Sequence, residues 1–184
     1  MTGTTIALAG RRIDAAGAQP SRFPLENAPV VRERIEAWLV RHRAQALVSS
    51  AACGADLLAL EAAGALRLRR VVVLPFSADR FRVESVTDRP GGEERWGKAF
   101  DQVLLEVAAS DVIVLDDARH GTEAFAKANE GIIDNALRLA AELGTEAVAV
   151  IVWNGKPRGN GDLTAQFAAT ARARGMAVEE LTTL

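Results

Sequence analysis

The stretch Arg70-Val71-Val72-Val73-Leu74-Pro75 decides the fold. It has four apolar residues in a row, three of them β-branched, and no polar residue at alternate positions. The strand it forms must therefore be buried on both faces, and the proline ends it. Such a strand belongs in a parallel sheet covered by helices, and the flanking sequence alternates accordingly. Upstream, Thr4 to Ala9 and Gln45 to Ser49 read as strands. Pro29 to His42 reads as a helix with Val31, Ile35, Trp38 and Leu39 at helical spacing, and Asp56 to Leu68 as an alanine- and leucine-rich helix. Downstream, Phe76 to Gly92 is charged and broken by proline and glycine, which predicts a long loop with one helical turn near Phe81 to Val86. Helix resumes from Glu94 to Ala109, followed by a strand at Asp111 to Leu115. A long helix, Glu123 to Leu143, then carries Phe125, Ile132, Ile133, Ala136 and Leu137 on its apolar side. Ala147 to Trp153 is a fifth strand, and a glycine-rich loop, Asn154 to Gly161, leads to the helix Leu163 to Arg174. Gly175 ends that helix before a last strand at Val178 to Leu181.

The expectation is one α/β domain over residues 1–184, with a Rossmann-like, doubly wound, mostly parallel sheet of five to six strands and helices on both faces. Composition agrees, with 49% hydrophobic and 25% charged residues in 184. The 22 basic and 24 acidic side chains leave a net charge of −2, too little field to gather duplex nucleic acid or an anionic membrane. The single cysteine, Cys53, cannot form an internal disulfide. With no basic flank and apolar run at the start, this points to the cytoplasm.

Doubly wound sheets bind ligands at the carboxyl ends of their strands, so the loops that follow the strands are the candidate sites. After the first strand come Gly10, Arg11, Arg12, Ile13 and Asp14, a glycine with two guanidiniums suited to phosphate or carboxylate oxygens. The other reading is an exposed basic turn. After the second strand come Ser49, Ser50, Ala51, Ala52, Cys53, Gly54, Ala55 and Asp56, small residues that leave turn and helix amides free for an anion. Tight packing of helix on strand selects the same residues, with Asp56 as a helix cap, and both readings stand at this point. Asp116 and Asp117 end the fourth strand, with Glu123 as a possible base and His120 as an acid or base. A solvated turn accounts for the two aspartates equally simply. Asn129 lies two turns into the long helix. Trp153 and Asn154 can stack on and read a base, although Trp153 suits a core as well. His42 suits a helix end as a complement to its dipole. Asp116 and Asp117 also suit ribose hydroxyls or a metal ion, but the expectation for the chain is no metal site and no organic cofactor.

Several of these pieces, taken together, resemble the SLOG superfamily. They are Gly10-Arg11-Arg12-Ile13-Asp14, then Ser50-Ala51-Ala52-Cys53-Gly54-Ala55-Asp56-Leu57-Leu58, then Leu74-Pro75-Phe76 with Phe81 and Ser85-Val86. Trp96 with Phe100, Asn129 and Trp153-Asn154-Gly155 extend the likeness over most of the chain. The superfamily unites LOG-type cytokinin-activating proteins, the DNA-processing protein DprA and many predicted nucleotide sensors, and its bacterial sensor branch is the most similar. The resemblance implies a Rossmann-like fold in which the loop from Ser49 to Asp56 contacts the phosphate or ribose of a nucleotide-like ligand. It also implies contributions from Pro75, Phe76, Gly121 and Thr122, and a possible homodimer. LOG enzymes, which cleave an N-glycosidic bond, carry P-G-G-x-G-T-x-x-E; this chain has Asp116-Asp117-Ala118-Arg119-His120-Gly121-Thr122-Glu123, without the paired glycines. The expected function is therefore binding or sensing of a nucleotide or nucleotide-derived small molecule. The alternatives are a nucleoside-phosphate hydrolase using Glu123 and Asp116, and a ligand-free scaffold whose pocket is filled by Phe76, Phe81 or Trp96.

Overall fold

The computed structural model describes residues 3–115 and 121–184. Six strands, β1 (Thr4–Gly10), β2 (Ala44–Ser49), β3 (Arg69–Leu74), β4 (Val112–Val114), β5 (Glu146–Trp153) and β6 (Ala177–Thr182), form one sheet in the order β4-β3-β2-β1-β5-β6. Every neighbouring pair is parallel. The fold is Rossmann-like, as the apolar runs predict.

Alternation along the strands divides the core into two layers. Ile6, Leu8, Leu47, Val72, Leu74, Val148 and Val150 face α1 (Ala28–Arg41), α2 (Ala55–Ala65) and α4 (Lys98–Glu106). Ala7, Ala9, Ala46, Val48, Val71, Val73, Ala149 and Ile151 face α5 (Thr122–Leu143) and α6 (Leu163–Ala173). Because both faces are covered, the central strands show continuous hydrophobicity rather than alternation.

The largest departure from expectation lies between β3 and α4. A short helix, α3 (Ala78–Phe81), runs directly into a π-helical turn at Arg82–Val86, and a second such turn, Glu93–Gly97, opens α4. This segment packs against the core. Phe81, Val86 and Trp96 are buried, and the Trp96 indole donates to the Pro90 carbonyl at 2.9 Å. Arg82 joins the two turns, donating to both carboxylate oxygens of Glu93 at 2.9 and 2.7 Å and to Asp101 at 2.8 and 2.9 Å. Of the charges that made the segment read as a loop, Arg80 pairs with Glu84 inside it, while Arg82 and Asp88 reach partners outside it.

The chain steps outward from β1 to β4, and α5 then packs across β1, β2, β3 and β5 to deliver β5 beside β1. The strand order reverses at β1, whose carboxyl end at Gly10 is therefore the place where a crevice is expected.

Candidate functional site

Two strand-to-helix loops are zipped together at this edge. The Arg11 amide donates to the Val152 carbonyl at 2.8 Å, the Ala55 amide to the Arg11 carbonyl at 3.1 Å, and Arg12 bridges Gly54 in antiparallel fashion. Gly10 is required by space, since a Cβ there would lie 2.4 Å from Ala55 Cβ and 2.7 Å from the Val152 carbonyl oxygen. Gly54 has φ +105, and its Cβ would meet the Arg11 carbonyl oxygen at 2.8 Å. Gly10→Ala is accordingly expected to destabilise the protein by about 1–3 kcal/mol through overpacking, read by chemical denaturation; wild-type stability would mean that α2 and β1 separate easily.

The same zipping corrects the idea of a phosphate cradle of free amides after β2. The Ala52 amide donates to Asp56, the Cys53 amide to the Ser85 carbonyl and the Ala55 amide to Arg11, so these donors serve the fold. Cys53 is buried in the core, where burial pushes its thiol up despite the opposing charge of Arg12. Ser49 is buried and donates to the Leu8 carbonyl at 3.1 Å.

Arg11 also turns inward. Its side chain is 3% exposed and its Nη1 lies 2.7 Å from Asp162, itself 1% exposed. The guanidinium further donates to Asn154 Oδ1 at 3.3 Å and to the Lys156 carbonyl at 2.7 Å, and lies 5.5 Å from the Trp153 ring centroid. Asp162 in turn caps α6 by accepting the amides of Thr164 and Ala165. Arg11 and Asn154 thus hold the β5–α6 loop in place. Asp14 closes the next segment by accepting from Ser21, Arg22 and Phe23. His42 stacks on Trp38 at 3.8 Å between ring centroids at the end of α1.

What these contacts leave open is a cleft at the carboxyl edge. A cavity of about 240 Å³ is lined by Gly10, Ser50, Ala52 and Asp56 and by the apolar side chains of Phe81, Phe125, Ala128 and Ile132. Arg12, Asn129, Arg158 and Thr164 complete it. An adjoining cavity of about 270 Å³ shares Gly10, Arg12, Arg158, Leu163 and Thr164 and reaches Thr122 and Gly161. Three buried polar atoms of the first cavity's residues lack a partner: Asp56 Oδ1, Ser85 Oγ and Arg12 Nε. Burial pushes the Asp56 carboxyl up to about 7, against the pull of the Ala52 amide, the Arg12 charge, the Gly10 amide and the Ser49 hydroxyl. Arg12 pairs with Asp88. No carboxylate among the described residues forms an ion pair with the Arg158 guanidinium, whose pKa is lowered by partial burial and by the neighbouring charges of Arg11, Arg22 and Arg89, against the attraction of Asp162.

No family model matches the chain, and no curated protein matches it. Among solved structures it is similar to the DNA-processing protein A (DprA) of Streptococcus pneumoniae, with 15% identity and a TM-score of 0.43. That match covers 96% of this chain and 58% of the other, so the chain spans less than two thirds of that protein's length.

Of the residues singled out in the sequence, Gly10, Arg12, Ser50, Asp56 and Asn129 come together in the cleft, and Thr122 lies on its outer part. Asn129 also donates to the Leu163 carbonyl at 3.2 Å. Pro75 and Phe76 are buried; the Phe76 ring packs on Phe81 at 6.0 Å and on Phe125 at 5.8 Å, shoring up the apolar wall. Glu123 and Gly121 are exposed, and neither lines the two cavities. Asp116, Asp117 and His120 fall outside the described residues. Trp96 is buried with its indole on Pro90 and Phe81 stands as a wall, with the cavity open beside it. Sequence reading missed Ser85 and Phe125 as lining residues, and Arg158 and Thr164 altogether. Only Thr164 had a local signal, the Asp-Leu-Thr start of α6. No helix among the described residues is long and apolar enough to cross a membrane.

Proposed function

We propose that this cleft binds a nucleotide or nucleotide-derived small molecule. The observation that carries the reading is the mixed lining of the cavity. Buried Asp56 and Ser85 atoms without hydrogen-bond partners and the aromatic side chains of Phe81 and Phe125 line it together with Arg12 and Arg158, the latter without a carboxylate partner among the described residues, and these two arginines also line the adjoining cavity. A flat heterocycle suits the aromatic lining and an anionic group the arginines. The position at the reversal of strand order supports the same conclusion.

The test is a thermal-shift panel of nucleoside mono- and diphosphates, cyclic dinucleotides and dinucleotide cofactors, with each stabilised sample assayed for breakdown. A ligand at one hundred times its Kd adds about 2.7 kcal/mol to the folded state. At least one member is expected to raise Tm, and Arg158→Ala to diminish the shift; a flat panel overturns the reading. A second reading, hydrolysis of a nucleoside phosphate, is favoured by one observation: a buried carboxyl with its pKa near 7 lies in the cleft, within the range of a general base. Released base in the stabilised samples would establish it.

A further inference from the structure

The inner end of the cleft is chemically more restrictive than its rim. Asp56 is 8% exposed, and its two oxygens differ: Oδ2 accepts the Ala52 amide at 3.3 Å, whereas Oδ1 is buried with no partner at full hydrogen-bond geometry, the Gly10 amide and Ser49 hydroxyl acting on the carboxyl only weakly from nearby. Ser85, 1% exposed, reaches the same cavity from the π-helical turn after α3, and its hydroxyl is also unpartnered. Two such groups from separate elements, both buried and both on one cavity, are uncommon in a finished core, because leaving them unpaired is costly. They are explained if atoms of a ligand complete them.

The kind of ligand follows from charge and shape. An ionised carboxylate only accepts hydrogen bonds, so Oδ1 requires a donor. The charged residues lining this cavity are Arg12, Asp56 and Arg158. Phosphate is repelled by Asp56 and attracted by the two arginines, which orients an anionic ligand with its charge toward the rim. Phe81 and Phe125, which line the same cavity as Asp56, favour a flat ring over a sugar. We propose that Asp56, assisted by the Ser85 hydroxyl, selects ligands whose inserted heteroaromatic ring carries an N–H-bearing edge, with the anionic group of the same molecule outward on Arg12 and Arg158. The inference rests on the nucleotide-binding reading and adds which end enters and what that end must donate.

Calorimetric titration at pH 8 with four probes tests it: AMP, GMP, purine riboside 5′-monophosphate, whose ring has no N–H, and ribose 5-phosphate, which has no ring. AMP or GMP is expected to bind at least tenfold tighter than purine riboside 5′-monophosphate. Asp56→Leu should bring that ratio to within threefold, by weakening AMP and GMP and by relieving the repulsion of the acceptor-only ring. Ser85→Ala, a milder change, should reduce the same ratio by a smaller factor. If wild-type protein binds the nucleotides with and without the N–H edge equally, or binds ribose 5-phosphate as tightly as AMP, the selection by Asp56 is overturned and the anion-binding cleft stands. If no probe binds at all, this inference falls, and the fate of nucleotide binding rests on the wider thermal-shift panel.

Discussion

Arg11→Ala is expected to cost the fold about 3–5 kcal/mol, the range found when one partner of a buried ion pair is removed. The pair is closed to solvent on both sides, with exposures of 3% and 1% and a separation of 2.7 Å. Burial alone would raise the Asp162 carboxyl, but the amides of Ala165 and Arg158 and the Arg11 guanidinium together hold it below its ordinary value. Truncating Arg11 leaves that carboxylate buried on backbone amides alone and also releases the Lys156 carbonyl and Asn154. Urea denaturation at pH 7 measures the loss. If the stranded charge is its source, Arg11→Met combined with Asp162→Ser, which keeps an N-cap on α6, should recover about half of it. A double variant as unstable as the sum of the singles would assign the loss to loop packing instead. Acid should weaken the wild-type pair in a defined sense. A carboxyl held low in the folded state contributes above its unfolded value near 4, and the contribution disappears as pH falls through the folded one.

This ion pair also shows what a sequence can and cannot reveal. Arg11 and Arg12 are adjacent and chemically identical, and both suit an anion. Yet the first is bound to Asp162 and the β5–α6 loop, while the second lines the cleft. Their division depends on a loop some 140 residues away in sequence, which no local pattern encodes. The strands were legible because Val71 to Leu74 and Val148 to Val152 are apolar runs whose burial is a local property. In the segment from Arg82 to Gly97 the helical turn near Phe81 to Val86 was legible, but its π-helical form and its packing on the core were not, because π-helical turns break the 3.6-residue rhythm and the charges find partners such as Arg12, Glu61 and Asp101 on other elements. Asp56 was legible as a residue of interest, since it follows small residues after β2. That it is buried on a cavity shared with Ser85, Phe81 and Phe125 depends on elements distant in sequence.

The second large effect concerns Asp56 and pH. Its carboxyl is raised from 3.8 to about 7 in the folded protein, chiefly by burial. Between these values the folded state keeps a proton that the unfolded chain has released, so the native state binds more protons and stability falls as pH rises. The decline begins near pH 4, ends near pH 7 and amounts at most to about 4 kcal/mol at 1.36 kcal/mol per pH unit. Asp162, Glu93, Asp101 and Glu106 are held below their ordinary values and act in the opposite direction at lower pH, so the raw profile is a composite. The comparison with Asp56→Asn isolates the group, because asparagine does not titrate. Relative to wild type, the variant should gain about 2 kcal/mol or more between pH 5 and pH 8, measured by urea denaturation at each pH. A difference that is constant with pH would mean that Asp56 ionises at an ordinary value and that the inner end of the cleft is wetter than its burial indicates. The direction of the effect bears on function: above about pH 7 the cleft holds a buried carboxylate that destabilises the fold. A ligand that donates to Oδ1 would relieve that instability, favour the ionised form and release a proton on binding.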